Sequence, residues 1–395
     1  MFEVLGQIVV RHRRLALVAF VMGLVVAGVV GSRVFPQLQA TGFNDPNSDS
    51  AQVRQALEDR FGVSDPVAVM AVETPRSLDA DAAAAEDLVT RISAVEGVSQ
   101  VLSYWTSGQP EALRGNDGRT GQVLVFSDRQ GAEQRTDVAA RLRNEVGGGG
   151  GGLTVYVSGG PTIDETIHTT ITEDLARAEL IAIPLTVAAL IVVFGGLVAA
   201  GLPFLVAAGS ILGTFMVLFL ISLVTDVSVF SLNLVTGLGL GLGIDYAMLV
   251  VYRFREEMTR TTDVEAAVIR TVASAGRTVF VSALAVAVTL ASLLFFSQYF
   301  LRSFGYAGIA ATLLALLSAL VALPAALAVL GSSVNRFRLV RTDPTPRDHG
   351  LWGSLARRVM RSPWPVIVVV TGALLVLASP ARDVTFSRVD DRALP

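Results

Sequence analysis

The chain has 395 residues, of which 52% are hydrophobic and only 16% charged, with a formal net charge of −3. Soluble domains carry about 25% charged residues, so a mean hydropathy of +0.58 excludes a disordered tail, a collagen-like rod and an ordinary cytosolic enzyme. Cysteine is absent and the three histidines are scattered; disulfides, thiolate nucleophiles and Cys–zinc sites are excluded, no metal or other cofactor is expected, and the weak negative charge gives no reason to expect nucleic acid.

A membrane-spanning helix needs about 20 apolar residues, and seven segments meet that demand. The first, Leu15–Phe35, follows the basic cluster Arg11, His12, Arg13 and Arg14. It is longer than a signal-peptide core, and its exit, Arg33-Val34-Phe35-Pro36, is a poor cleavage site, so it reads as a retained span. Residues 36–178 read as an external α+β domain with 21 acidic and 11 basic residues. Helices are expected over Ser48–Phe61, Leu78–Val95 and Glu133–Val146. Strands are expected over Pro66–Val72, Val98–Trp105, Gln122–Phe126 and Leu153–Val157. Asp79 and Asp81 suit the N-terminus of the second helix. The six-glycine run Gly147–Gly152 lacks the Gly-Lys-Ser/Thr ending of a phosphate-binding loop and reads as a flexible connector. A helix over Pro161–Glu179 is positioned to run into the second span; His168 on it reads as solvated.

From Leu180 to Thr225 there is no charged residue. That is about twice one span, so it predicts a helical hairpin that turns at Gly195-Gly196 or Gly201-Leu202-Pro203. Spans four, five and six follow at Val227–Tyr252, Thr278–Gln298 and Ser303–Leu330, and the seventh at Pro363–Ala381. Pro184 and Pro324 are expected to kink their helices. Arginine marks the cytoplasmic side of short loops. It is concentrated at the N-terminus, after span four (Arg253, Arg255, Arg260, Arg270, Arg277) and after span six (Arg336, Arg338, Arg341, Arg347, Arg357, Arg358, Arg361). Asp226 and Arg302 fall in the short outward loops. The chain is therefore expected to run N-in and C-out. Its expected organisation is a first span within 1–35, the external domain over 36–178, spans two to six over 179–331, an Arg-rich cytoplasmic loop over 332–362, the seventh span over 363–381 and the start of a second external domain over 382–395. The entry to the seventh span, Val359-Met360-Arg361-Ser362-Pro363-Trp364, parallels Val9-Val10-Arg11-His12-Arg13-Arg14 before the first, which suggests two parallel repeats.

One acid lies deep within these spans: Asp245, 19 residues from Asp226 and 8 from Arg253, or about 12 Å from the cytoplasmic edge at about 1.5 Å per residue. A charge there costs about 2.5–3.5 kcal/mol on insertion scales, and protonation removes most of that cost. Asp245 is thus a two-state group separated by one proton, unless it merely bonds a neighbour. Gly237 and Gly241 stack on the Asp245 face, and Gly239 and Gly243 on the Tyr246 face. Each costs about 1 kcal/mol of helix propensity, which is expected where neighbours pack closely or where the helix lines a watery groove. Tyr246 can donate to a carboxylate on a facing helix. On span five, Ser282, Thr289 and Ser292 can relay a proton or can bond back to their own helix. Asn233 and Thr236 read as packing residues.

The string Gly241-Leu-Gly-Ile-Asp245-Tyr246-Ala-Met-Leu-Val-Val-Tyr-Arg253-Phe-Arg255-Glu-Glu257 resembles the fourth span of the MMPL proteins, a branch of the RND superfamily. Ala275-Gly276-Arg277-Thr278-Val279, leading to Ser282, is similar to their entry to span five. Phe43-Asn44-Asp45-Pro46-Asn47-Ser48 and Asp391-Arg392-Ala393-Leu394-Pro395 are similar to the openings of their two external domains. The resemblance implies an α-helical, polytopic, RND-like membrane protein of the bacterial inner membrane, of the actinobacterial kind, with a porter-like split βαβ external domain. It implies a proton-driven exporter of lipids or other hydrophobic molecules, not an enzyme, and Asp245 and Tyr246 as half of a proton relay beside Ser282. The matching Asp-Tyr span of a second repeat is missing, so the chain is expected to be a fragment, to meet a second RND half or another copy of itself, or not to pump. The rival reading is a non-transporting membrane scaffold or sensor whose external domain binds a lipid or a partner protein.

Overall fold

The computed structural model describes residues 1–39, 48–61, 65–129, 132–146, 151–335 and 351–383. The sequence expectations at Phe43–Asn47, Gly147–Gly150, Arg336–Arg347 and Asp390–Pro395 lie outside these residues, as does the side chain of His168. Two units are present, Met1–Thr342 and Asp343–Pro395.

The first unit opens with α1 (Phe2–Arg11) and α2 (Arg13–Gly31), which break apart at His12. Gln39 then forms a parallel bridge with Ser228: its N–H donates to Val227 O (3.0 Å) and its carbonyl accepts from Val229 N–H (2.9 Å). This ties the far end of the first span to the approach of a later one. The external domain runs α3 (Asp49–Phe61), β1 (Ala68–Glu73), α4 (Ala82–Ser93), β2 (Val98–Ser103), β3 (Thr120–Ser127), α5 (Ala132–Val146) and β4 (Thr154–Ser158). The strands lie in the order β2-β3-β1-β4, every pair antiparallel, with Met70 opposite Val123 and Val157. From β1 to β4 this is the β-α-β-β-α-β arrangement of split βαβ domains, as the resemblance implies. Strand residues alternate sides. Met70, Val72, Val123 and Val125 point to one face and are fully buried with Leu88, Ile92 and Leu142 of α4 and α5.

Two local expectations are corrected. The second helix begins at Ala82, not Leu78, and Asp81 does not cap it: its carboxylate accepts from the backbone N–H and the guanidinium of Arg76. The strand expected to reach Trp105 ends at Ser103, where the chain turns so that Trp105 Nε1 donates to Leu78 O (2.9 Å) beneath the sheet.

The membrane part begins with α6 (Gly160–Phe194), one helix of 35 residues running from the sheet domain through Pro184. At about 1.5 Å per residue it is about 52 Å long. It stops at Gly195, whose φ of +69° is open to glycine at little cost, so the hairpin turns at the first of the two expected sites. Gly201 and Pro203 lie inside α7 (Leu197–Ser222). Next come α8 (Ser231–Arg260), α9 (Val264–Ala291), α10 (Tyr299–Leu317) and α11 (Leu323–Leu330). α9 is capped by Asp263, whose carboxylate accepts from Glu265 and Ala266 N–H. Between α10 and α11, Ser318–Ala322 widens to a π turn in which Leu323 N–H donates to Ser318 O. Pro324 has no N–H to offer the carbonyl four residues back, and the widened turn accommodates that defect.

Small residues set the helix spacing. A Cβ on Gly209 would collide with Ser318 Oγ, and one on Gly213 would fall 2.9 Å from Leu314. Ser210 Oγ donates to Ala311 O (2.8 Å), bonding α7 to α10. In the second unit, α12 (Leu351–Arg361) leads through Ser362 into α13 (Pro363–Ala378).

Among the described residues, six helical segments are long and apolar enough to cross a membrane: Arg13–Gln37, Leu197–Ser222, Ser231–Arg260, Val264–Phe295, Tyr299–Val334 and Pro363–Ala381. The remaining expected span is the shorter apolar end of α6, Leu180–Phe194. The arginines assigned to a loop after span four are helical instead. Arg253, Arg255 and Arg260 complete α8, and Arg270 and Arg277 lie on α9.

Candidate functional site

Asp245 and Tyr246 sit midway along α8, and adjacent helical residues diverge by about 100°. The two therefore enter different environments. Tyr246 is buried, on the side of α8 that meets α7, where Gly239 and Gly243 also lie. A Cβ on Gly243 would be 2.7 Å from Ala207 Cα and 2.8 Å from Ala207 N; one on Gly239 would be 2.8 Å from Ile211. These two glycines let α7 and α8 approach backbone to backbone. Asp245 is exposed, in line with Gly241, Gly237 and Asn233 at successive four-residue steps, and all four are open in this chain. A Cβ on Gly237 or Gly241 would meet no atom within 4 Å. Of the two expectations for these glycines, close packing holds at Gly239 and Gly243; among the described residues of the first unit nothing packs against Gly237 and Gly241, and there the open groove holds.

Ser282 of α9 is the hydroxyl placed to interact with Tyr246. The Tyr246 hydroxyl itself is buried with no hydrogen bond of ordinary geometry. The antiparallel course of α8 and α9 therefore brings Asp245, Tyr246 and Ser282 to one level. Thr289 and Ser292 do not join them: Thr289 donates to Ala285 O (2.9 Å) and Ser292 to Thr289 O (2.7 Å), both within their own helix. Thr236 likewise bonds back to Leu232 O (3.2 Å).

From about two turns beyond Asp245 along α8, Arg253 to Arg260 form a charged cluster, whose arginines the sequence pattern assigns to a loop. Glu257 is buried, and its carboxylate accepts from Arg253 (3.0 Å) and Arg260 (3.3 Å), with Arg270 of α9 at 3.8 Å. Arg253 also bonds Glu256 (2.6 Å) and Ser274 Oγ of α9 (3.0 Å). Buried charges are tolerated when paired in this way, and the pairs pin the end of α8 to the start of α9. Arg255, buried too, donates to Phe194 O (2.8 Å) and lies over the Phe194 ring at 5.7 Å. It thus satisfies a carbonyl left open at the C-terminus of α6. The Arg253-to-Glu257 spacing of four was the available signal; nothing in the sequence pairs Arg255 with a carbonyl 61 residues away.

The profile of the MMPL family matches residues 43–366. A Streptomyces coelicolor membrane protein is 36% identical over all of this chain and 56% of its own length. The trehalose monomycolate exporter MmpL3 of Mycobacterium tuberculosis is 29% identical over all of this chain and 45% of its own length. The heme uptake protein MmpL11 of the same species is 27% identical over 94% of this chain and 39% of its own length. The chain spans about half the length of the curated relatives it matches.

Proposed function

The chain belongs to the MMPL family and is a multi-pass protein of the bacterial inner membrane, and on that premise we propose that it acts as one half of a proton-motive-force-driven exporter of lipids or other hydrophobic molecules. In this reading residues 36–178 are its external porter-like domain, and Asp245, Tyr246 and Ser282 are its half of the proton relay. The observation that carries the reading is Asp245: a carboxyl in the middle of a spanning helix, on a face bare of covering side chains, beside a buried phenol and the Ser282 hydroxyl. A carboxylate there costs about 2.5–3.5 kcal/mol and a neutral acid much less. Each elementary charge carried across the membrane is worth about 2.3 kcal/mol per 100 mV, so a proton entering from outside and leaving inward can drive a change in helix packing. The cargoes for which the relatives are named, trehalose monomycolate and heme, are both large and partly apolar, which favours a hydrophobic cargo; neither is assigned to this chain.

The relay also needs a cover for the Asp245 face, and a second RND half, on the same or another chain, or a second copy of this one is the proposed source. The deciding experiment is export in cells by the complete assembly carrying Asp245→Asn. The variant should insert and melt as the parent does, because the face is open, yet lose export; Ser282→Ala should slow it. Undiminished export by Asp245→Asn overturns the proton mechanism.

A further inference from the structure

We infer that α12 is a surface-lying helix that docks on anionic phospholipid at the face of the bilayer from which α13 departs. Viewed down its axis at about 100° per residue, α12 divides cleanly. Leu355, Val359, Ala356 and Met360 fall within an arc of about 140°, and Arg357, Arg361 and Arg358 fall on the opposite side within about 100°. Leu355 and Met360 are 51% and 72% exposed in their unit, so the apolar arc lacks a cover there. A helix with this division and arginines on its polar side lies in the membrane interface.

The junction to the span permits that attitude. Pro363 keeps Ser362 out of the helical region (φ −141°, ψ 67°), so α12 ends in an elbow and need not share the axis of α13. Trp364 is the second residue of the span and is 75% exposed, a position where aromatic rings anchor helices at the headgroup level.

Charge decides between lipid and protein as the cover. The helix in the matching place before the first span, α1, buries Gly6, Val9 and Val10 against its own bundle; a Cβ on Gly6 would fall 3.1 Å from Ile269 Cα. Its outward polar residues are Glu3, Gln7 and Arg11, which sum to zero charge. α12 carries three arginines and no acid, and residues 332–362 together hold seven arginines against Asp343 and Asp348. A cluster of that sign next to a span is complementary to acidic headgroups.

The absence of cysteine allows a direct test on the full chain in nanodiscs. A spin label on Met360→Cys should be open to oxygen and shielded from a water-soluble nickel chelate in bilayers containing phosphatidylglycerol. In pure phosphatidylcholine, or with Arg357, Arg358 and Arg361 all changed to Gln, the nickel chelate should gain access. Each arginine near an anionic surface is worth about fivefold in the docked-to-undocked ratio, so the triple variant should lower it about a hundredfold. The triple change to Lys should preserve docking and guards against a folding defect. Equal accessibility in both lipids overturns the inference, and so does shielding of the label from oxygen and nickel alike, the mark of a helix packed on protein.

Discussion

The two faces of α8 make opposite predictions for the same substitution. Alanine at Gly243 places a Cβ 2.7 Å from Ala207 Cα, 2.8 Å from Ala207 N and 3.0 Å from Ala207 Cβ. Two of these atoms are backbone, so α7 itself must move. Alanine at Gly241 meets nothing within 4 Å. Both changes gain about 1 kcal/mol of helix propensity, whereas forcing extra atoms into a packed interface costs about 1–3 kcal/mol. Gly241→Ala should therefore come out more stable than Gly243→Ala by about 1–3 kcal/mol. Gly239→Ala falls between, because the 2.8 Å contact is with Ile211 Cγ1, which can rotate away. Loss of helical circular dichroism on titrating purified protein in mild micelles with sodium dodecyl sulfate gives the ranking directly. If Gly241→Ala proved as damaging as Gly243→Ala, the assignment of one packed and one open face to α8 would be wrong.

In the external domain, Asp117 accepts from Arg119 N–H (3.0 Å), Thr120 Oγ1 (2.7 Å) and Thr120 N–H (2.9 Å), which hold its carboxyl down to about 2. Its folded value lies below the ordinary one, so its contribution to stability is complete above about pH 4 and is lost as pH falls through about 2; Asp117→Asn should flatten that limb of an acid-unfolding curve, and an unchanged curve counts against the turn as drawn. Gly121→Ala should cost about 1–3 kcal/mol, since its Cβ would lie 2.5 Å from Trp105 Cη2; loss of the near-ultraviolet signal of the buried indole at a lower temperature than in the parent reports it, and an equal melt refutes it. Arg255→Leu leaves Phe194 O without its charged donor, so amide exchange around the α6–α7 turn should accelerate while the external domain melts unchanged; equal protection there means that Arg255 does not hold the turn.

The spans were legible because lipid demands long apolar runs, and 46 residues without a charge from Leu180 to Thr225 leave a hairpin as the one solution. The alternating apolar pattern placed all four strands within a few residues. The sheet order was not readable from that pattern, since it depends on long-range pairing that periodicity does not encode; the family resemblance supplied it. The second span is the shortest of the first unit, because α6 starts in the charged sequence before it and only its end, Leu180–Phe194, is apolar. Helical periodicity separated Gly237, Gly241 and Asp245 from Gly239, Gly243 and Tyr246, but it says nothing of which side meets α7. Arg255 was misplaced for a related reason: positive-inside counting treats a charge at the end of a span as solvated, and this one is buried by a partner distant in sequence; that Glu257 is buried as well was not legible.

That division of α8 bears on how a proton could do work. Packing of this unit rests on the Gly239–Gly243 side, which a change at Asp245 does not touch. Asn233, Gly237, Gly241 and Asp245 repeat every four residues over about 18 Å of helix, a strip with no bulky side chain of its own. A helix laid along it would approach the backbone closely and would enclose the carboxyl. Burying a charged acid costs more than burying a neutral one, so under the proposed function the cover fits the protonated strip best. By reciprocity, proton binding must then strengthen the cover. Loss of the proton loosens it and leaves the packing of Gly239 and Gly243 on α7 in place. Under the proposed function, the proton gradient thus acts on an interface and not on the fold of the half that carries the acid.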